Sequence, residues 1–440
     1  MSVEVPSGWA EIRLKEICRE IEVPVGSGPR LPLLSVTKGG VVPQSDTYGK
    51  EIASADVSRY KVIQPGQFAM APMAMYYGAV GRFHGNSPGM ISPAYNVFVH
   101  EAGVDPSYLE ALIRLPRMVG RYEALSQGGN LEGKRKNTSF SDFGSIPVFI
   151  PPYAEQLAIA EVLQSVEDAI ARKRELIGTL GESKKAVMRE LLTKGIRRAG
   201  VPMKDLPERW VLGRVAEGIE QIPTDWKMVR LTSVAKLESG HTPDRKQAHY
   251  WEGDIPWISL QDADALTRNT ISETAETIGP EGLKNSSARM LPTGTVVFQR
   301  TANVGRSSIM GREMCTSQHF ANWVCGPKLV PGYLMQVFRH MQREWQRLMA
   351  GSVLPDIYMP PFKRLQILLP RKDEQEKIAD VGEAFDRRIE TEKRSLAELQ
   401  NTRAALAQEL LSGRLRLPAA MIARFENRQA EASKSEAVTA

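Results

Sequence analysis

Cysteine is nearly absent from this 440-residue chain, with Cys18, Cys315 and Cys325 far apart, and there are only six histidines. Three scattered thiols cannot make a disulfide framework, and no Cys or His spacing matches a zinc site, so neither a stapled secreted domain nor a structural metal is expected. Long apolar runs are missing too. No stretch approaches the length that crosses a bilayer, and Met1 to Trp9 carries no basic-apolar-small leader pattern, which makes a cytoplasmic location the expectation. Acidic surplus is likewise lacking. The net charge of +6 and pI near 9.1 give a mild preference for anionic partners.

What is present is a repeat. From Ile159, steps of four and three reach Leu163, Val166, Ile170, Lys173, Ile177, Leu180, Lys184, Val187 and Leu191, a heptad seam interrupted by two lysines. The same register recurs 219 residues on, at Ile378, Gly382, Phe385, Ile389, Glu392, Leu396, Leu399, Arg403, Leu406 and Leu410. Each seam follows an apolar run ending in proline and then Glu-Gln, at Glu155-Gln156 and Glu374-Gln375, and each closes on Glu-Leu-Leu. The halves also open alike, with Pro6, Trp9, Arg13 and Leu14 answered by Pro223, Trp226, Arg230 and Leu231. Such a repeat decides architecture before any motif does.

A long amphipathic helix exposes its stripe to water unless it finds a partner, and its own copy is at hand. The expectation is therefore an antiparallel coiled coil of two helices, each roughly 60 Å long at about 1.5 Å per residue, separating two mixed α/β domains in pseudo-two-fold repeat, an α+β fold. The boundaries read as a first domain at 1–152, a helix at 153–198, a linker and second domain at 199–371, a second helix at 372–415 and a flexible tail at 416–440. Interface positions are Ile159, Leu163, Val166, Ile170, Ile177, Leu180, Val187 and Leu191 against Ile378, Phe385, Ile389, Leu396, Leu399, Leu406 and Leu410. Strands are expected at Leu31 to Val42, Gly66 to Ala71, Tyr95 to Val99, Ile255 to Leu260, Gly294 to Phe298 and Phe320 to Val324, and helices at Ser107 to Tyr122 and Gly332 to Met349.

Several catalytic look-alikes fail on chemistry. Gly128 to Lys134 spells part of a P-loop, but Arg135 stands where Ser or Thr would ligate magnesium. Ile150-Pro151-Pro152-Tyr153 and Met359-Pro360-Pro361-Phe362 imitate the Pro-Pro-aromatic motif of amino-methyltransferases without the Asn or Asp that accepts from the target amine. Pro355-Asp356 lacks the acidic-x-Lys pair of a nuclease.

Between the Trp signals and the helices the halves diverge, as two specificities on one scaffold would. Lys134, Arg135, Lys136 and Asn137 in the first half, and Gln299, Arg300, Asn303, Arg306, Gln318 and His319 in the second, supply the donor types that read base edges and phosphates. Tyr76 and Tyr77, beside Met70, Met73 and Met75, are either a stacking platform or core.

The Pro-x-x-Trp openings, Gly240-His241-Thr242-Pro243, Tyr250 to Ile258 with Gly253-Asp254-Ile255-Pro256-Trp257 at its centre, and the Pro-to-Glu-Gln helix entries resemble the specificity (S) subunits of Type I restriction-modification systems, through Leu417. The first half lacks the Gly-Asp-Ile-Pro-Trp block and carries Leu31 to Val36 in its place. The resemblance implies two target-recognition domains and a non-catalytic chain that binds double-stranded DNA. It also implies docking of two modification (methyltransferase) subunits and of restriction (translocase-nuclease) subunits, with S-adenosylmethionine on the former and ATP and magnesium on the latter. The residues by themselves leave open a methyltransferase or nuclease with unrecognised catalytic groups, and a coiled-coil assembly protein without DNA affinity.

Overall fold

The structure, a computed structural model, describes residues 5–49, 53–126, 136–196, 202–206, 221–349 and 355–427. It divides into two compact units, one of residues 1–171 with 397–440 and one of residues 172–396. Both are mixed α/β.

In the first unit a four-stranded antiparallel sheet carries the core. Its order is Cys18–Ile21, Asn96–His100, Phe68–Met70, Val80–Arg82. Phe68 and Phe98 stack at 5.3 Å between ring centres, and Phe143 and Tyr122 continue the packing. Leu31 to Val42, expected as one strand, is a hairpin of Leu34–Thr37 and Gly40–Pro43. The turn falls at Lys38 and Gly39, and Gly40 takes φ 104, a conformation that favours glycine. The helix expected over Ser107 to Tyr122 is two, Pro106–Ile113 and Pro116–Leu125. Pro116 divides them, because it cannot donate into a continuing helix and pushes Leu115 to an extended conformation.

The second unit is built on a five-stranded sheet ordered Ala235–Ser239, Phe320–Cys325, Val296–Gln299, Ser307–Met310, Thr270–Ile271, with a three-stranded sheet centred on Ile255–Ile258. Phe298, Phe338, Trp345 and Phe362 meet edge to face beneath the central strand. Here too the expected helix is two, Pro331–His340 and Gln342–Leu348.

The repeated motifs do the same job in each unit. Trp9 donates its indole N–H to Glu155 at 3.2 Å, and Trp226 donates to Glu374 at 2.9 Å. Gln156 accepts from the Asp105 amide and donates to the Gly103 and Pro151 carbonyls; Gln375 accepts from the Val330 amide and donates to the Lys328 and Pro370 carbonyls. Strand Ala10–Arg13 pairs with Pro147–Ile150 just as Lys227–Arg230 pairs with Gln366–Leu369. Pro-x-x-Trp and Pro-to-Glu-Gln are thus two halves of one clamp that fixes each long helix to its domain.

The long helices are Tyr153–Lys194 and Lys372–Leu410. In the first unit Ile159 and Leu163 pack with Ala407, Leu410 and Leu411; in the second, Met188 and Leu192 pack with Ile378 and Ala379. Early residues of one helix meet late residues of the other, so the coiled coil is antiparallel. The lysines that interrupt the seam are not defects. Lys173 bonds Glu392, its own counterpart in the repeat, at 2.6 Å. Lys184 pairs with Asp386 at 2.6 Å and Arg403 with Glu167 at 2.7 Å, again repeat counterparts of each other.

Two further expectations are corrected. Val187 is exposed, and Met188 and Leu192 are buried in its stead. A straight α-helix drifts about 20° per heptad from a 3.5-residue seam, so four heptads beyond Ile159 the stripe has moved roughly 80°, close to one residue. The segment after Pro418, expected to be frayed, is helical over 419–427, with Phe425 buried against Ala154 and Ala158.

Candidate nucleic-acid interface

In the second unit the strand Val296–Gln299 ends in a loop, Arg300 to Arg306, before the chain returns as Ser307–Met310. Two other segments are tied to that loop. Thr301 bridges to Asp356, the Ala302 amide donates to the Pro355 carbonyl, and the Ile357 amide donates to the Arg300 carbonyl. On the other side the Arg300 amide donates to the His319 carbonyl.

Arg300 is the clamp of this site. Its guanidinium donates to the Gln318 and Ile357 carbonyls and to both Asp356 oxygens at 2.9 Å, and the side chain is largely buried. An arginine so engaged positions three segments and has little left for a base. Gln299 is buried and donates to the Thr301 carbonyl, inside the loop's root. Asn303 and Gln318 are exposed. Arg306 reaches Asp264 at 2.7 Å, but Asp264 is 98% exposed, so the pair is readily exchanged for a phosphate. Burial, and then the Arg300 charge, hold the His319 pKa below its ordinary value.

Gly240-His241-Thr242-Pro243 closes the same edge. A Cβ on Gly240 would collide with the Thr316 and Ser317 carbonyls, so only glycine allows this approach. Thr242 then donates to the Gln318 side chain. Trp257 donates its indole N–H to the His241 carbonyl at 3.0 Å, and Arg245 lies 3.6 Å from the Trp251 ring while bonding Glu276 at 2.9 Å. Those aromatics fix the loop. The Tyr358 side chain, 62% exposed beside Ile357, is a further hydrogen-bonding group of this patch. Sequence reading missed it because residue 358 reaches a loop more than fifty positions earlier through tertiary contacts, among them Thr301 to Asp356 and the Ile357 amide to the Arg300 carbonyl.

The first unit builds the equivalent place from the equivalent segments. Its central strand Phe68–Met70 runs into a short helix, Pro72–Tyr77, and the Thr138 amide donates to the Pro72 carbonyl. Tyr76 and Tyr77 are exposed and meet edge to face at 5.0 Å; Met70 and Met75 are core. Lys136 lies 5.1 Å from the Tyr76 ring centre and pairs with Glu123 at 3.3 Å. Asn137 is exposed. Lys134 and Arg135 lie outside the described residues. The residues singled out in the first half therefore come from the segment preceding the last short helix, and those in the second from the loop after the central strand. Each set occupies a different part of the equivalent place in its own unit.

No group of His, Cys, Asp and Glu able to hold a metal occurs among the described residues. Burial pushes the thiol pKa of Cys18 to about 12, Cys315 to about 11 and Cys325 to about 12, so none is a thiolate at neutral pH. No helix among the described residues is long and apolar enough to cross a membrane.

Comparison with known proteins fits this geometry. The family described as the Type I restriction modification DNA specificity domain matches residues 223–401. The Type I restriction enzyme MjaIX specificity subunit of Methanocaldococcus jannaschii is 31% identical over 188 residues, 42% of this chain and 44% of that protein, so the match spans less than half of that relative. A putative type I restriction enzyme specificity subunit of the same organism, MjaX, is 20% identical over 430 residues, 94% of this chain and 95% of that protein. A solved chain from work on complex assembly and conformational transition of the type I R-M system is 19% identical with a TM-score of 0.55, covering 94% of this chain and all of that one. At that identity the likeness is one of fold. The shared architecture is one of two mixed α/β units with paired long helices, and over residues 223–401 the chain is similar to the DNA specificity domain of Type I restriction-modification systems.

Proposed function

We propose that this chain reads duplex DNA through one patch in each unit, recognising a bipartite, asymmetric site for modification and restriction subunits that dock on it. The observation that carries the reading is the shared location of the two patches: the same pair of loops, clamped to the same strand end, presents different side chains in each unit. Lys136 and Arg306, both in exposed pairs, suit phosphates; Asn137, Asn303 and Gln318 suit base edges, Asn and Gln being matched to adenine. Tyr76 and Tyr77 offer exposed ring faces beside Lys136. The chain itself carries out no methyl transfer or cleavage in this reading; S-adenosylmethionine belongs to two modification subunits, and ATP and magnesium to the restriction subunits.

The test is DNA binding by the assembled complex across a salt series. Each phosphate contact contributes about 0.9 to the slope of log K against log salt. Replacing Lys134, Arg135 and Lys136 by Ala should lower the slope by up to about 2.7 if each meets a phosphate, and Arg306→Ala by up to about 0.9. Unchanged affinity and slope in both variants would remove these loops from the interface.

A further inference from the structure

A second basic feature of the second unit adjoins the root of the Arg300 to Arg306 loop, where Arg339 donates to the Ser307 carbonyl. A cavity of about 560 Å³ opens between the later part of the first long helix and the helices Pro331–His340 and Gln342–Leu348. Five cations, Lys184, Lys185, Arg189, Arg339 and Arg343, line it against one carboxylate, Glu344. We infer that this cavity binds a small polyphosphate anion of nucleotide size. Its volume falls within the range of roughly 300–1,000 Å³ typical of small-molecule sites.

The cations divide into wall and receptor. Lys184 and Arg339 are both fixed on Asp386 of the second long helix, at 2.6 and 2.8 Å, and Arg339 also donates to the Ser307 and Arg268 carbonyls. They form a rigid back wall. Glu344 is bonded by Arg347 at 2.8 Å, which offsets its charge. Arg189 has no hydrogen-bond or ion-pair partner for its side chain among the described residues, and Lys185 has only an exposed pair with Glu182 at 3.8 Å. Arginine presents its donors as a planar fork suited to phosphate.

Gly181 lines the cavity from the first long helix. It sits inside a long helix, where glycine costs about 1 kcal/mol relative to alanine, and a Cβ there would meet nothing within 4 Å. Packing does not require glycine at this position. A longer side chain there has room to extend into the cavity.

The cavity's charge also registers on its histidine. Burial, then Arg189, Lys185 and Lys184, hold the His340 pKa below its ordinary value. Arg339, Arg343 and Glu344 lie on the short helices around it, and Asp386 on the second long helix is engaged by Lys184 and Arg339. A bound anion would offset the repulsion from Arg189, Lys185 and Lys184, so binding should take up protons.

The experiment is calorimetric titration of the full chain with inorganic triphosphate and, separately, with ATP, both without divalent metal, in buffers of different ionisation enthalpy. One site per chain is expected, with proton uptake near pH 6.5. Equal affinity for the two probes assigns the site to the phosphates, and tighter ATP binding to a nucleotide. Arg189→Ala should weaken binding about tenfold or more. Gly181→Met, which changes no charge, should abolish it by filling the cavity while leaving the melting temperature unchanged or higher. Absence of binding by both probes, binding that neither variant weakens, or dependence on Arg189 seen only with duplex DNA would overturn the assignment.

Discussion

The indole of Trp226 is fully buried, and its N–H donates to Glu374, which also accepts from the Ile196 amide at 2.9 Å. Trp226→Phe removes a donor from a half-buried carboxylate and leaves a small void. The expected loss is about 1–3 kcal/mol in urea unfolding; a loss below about 0.5 kcal/mol would mean the motif is not a clamp. A residue-scale pH effect has the opposite chemistry. Because the folded His340 pKa is depressed, the unfolded chain binds more protons below about pH 6.5, so this group favours the folded state at higher pH and opposes it as pH falls. His340→Gln should flatten the drop in melting temperature between pH 7 and 5, and an unaltered profile would contradict the burial of that imidazole. Single residues were unevenly legible in sequence. Trp9, Trp226, Glu155 and Glu374 stood out as repeated letters, but their contacts join residues nearly 150 positions apart. Arg300 and Gln299 had the right chemistry for DNA, and only the fold shows that one is spent on Asp356 and the other on Thr301.

At the scale of elements, periodicity carried furthest where a helix is long. The seam from Ile159 and its copy from Ile378 located both long helices, and each charged interruption has an ion-pair partner on the other helix. Lys173→Glu places two carboxylates together at that point and should lower the melting temperature, whereas adding Glu392→Lys should restore most of it; failure of the second change to rescue the first would sink the pairing. Leu399→Pro removes a backbone donor within Lys372–Leu410 and should cost about 3 kcal/mol or more, with loss of partner docking read by size-exclusion chromatography; normal assembly would contradict the proposed role of the helix pair. Periodicity was weaker where proline and glycine cut the pattern. The hairpin at Lys38 and Gly39 and the helix breaks at Pro116 and Met341 are short-range events inside runs that read as single elements. Drift of the 3.6-residue helix against a 3.5-residue count explains Val187.

For the whole molecule, duplication was the legible fact and recognition the illegible one. Shared letters mark what each unit must do alike, namely clamp a helix to a domain. The proposed reading surface lies in the segments that differ, so no repeat points to it, and in the second unit it depends on contacts between the Arg300 to Arg306 loop and residues 355–357 that are distant in sequence. The central claim is that two independent readers share one chain. Its most direct test is to map methylated bases in cells carrying the chain with the proposed modification partner, before and after residues 223–364 are exchanged for the equivalent segment of a Type I specificity subunit. The account predicts an interrupted, asymmetric motif of which one part changes and the other stays. A continuous or palindromic motif, or an exchange that alters both parts together, would contradict it.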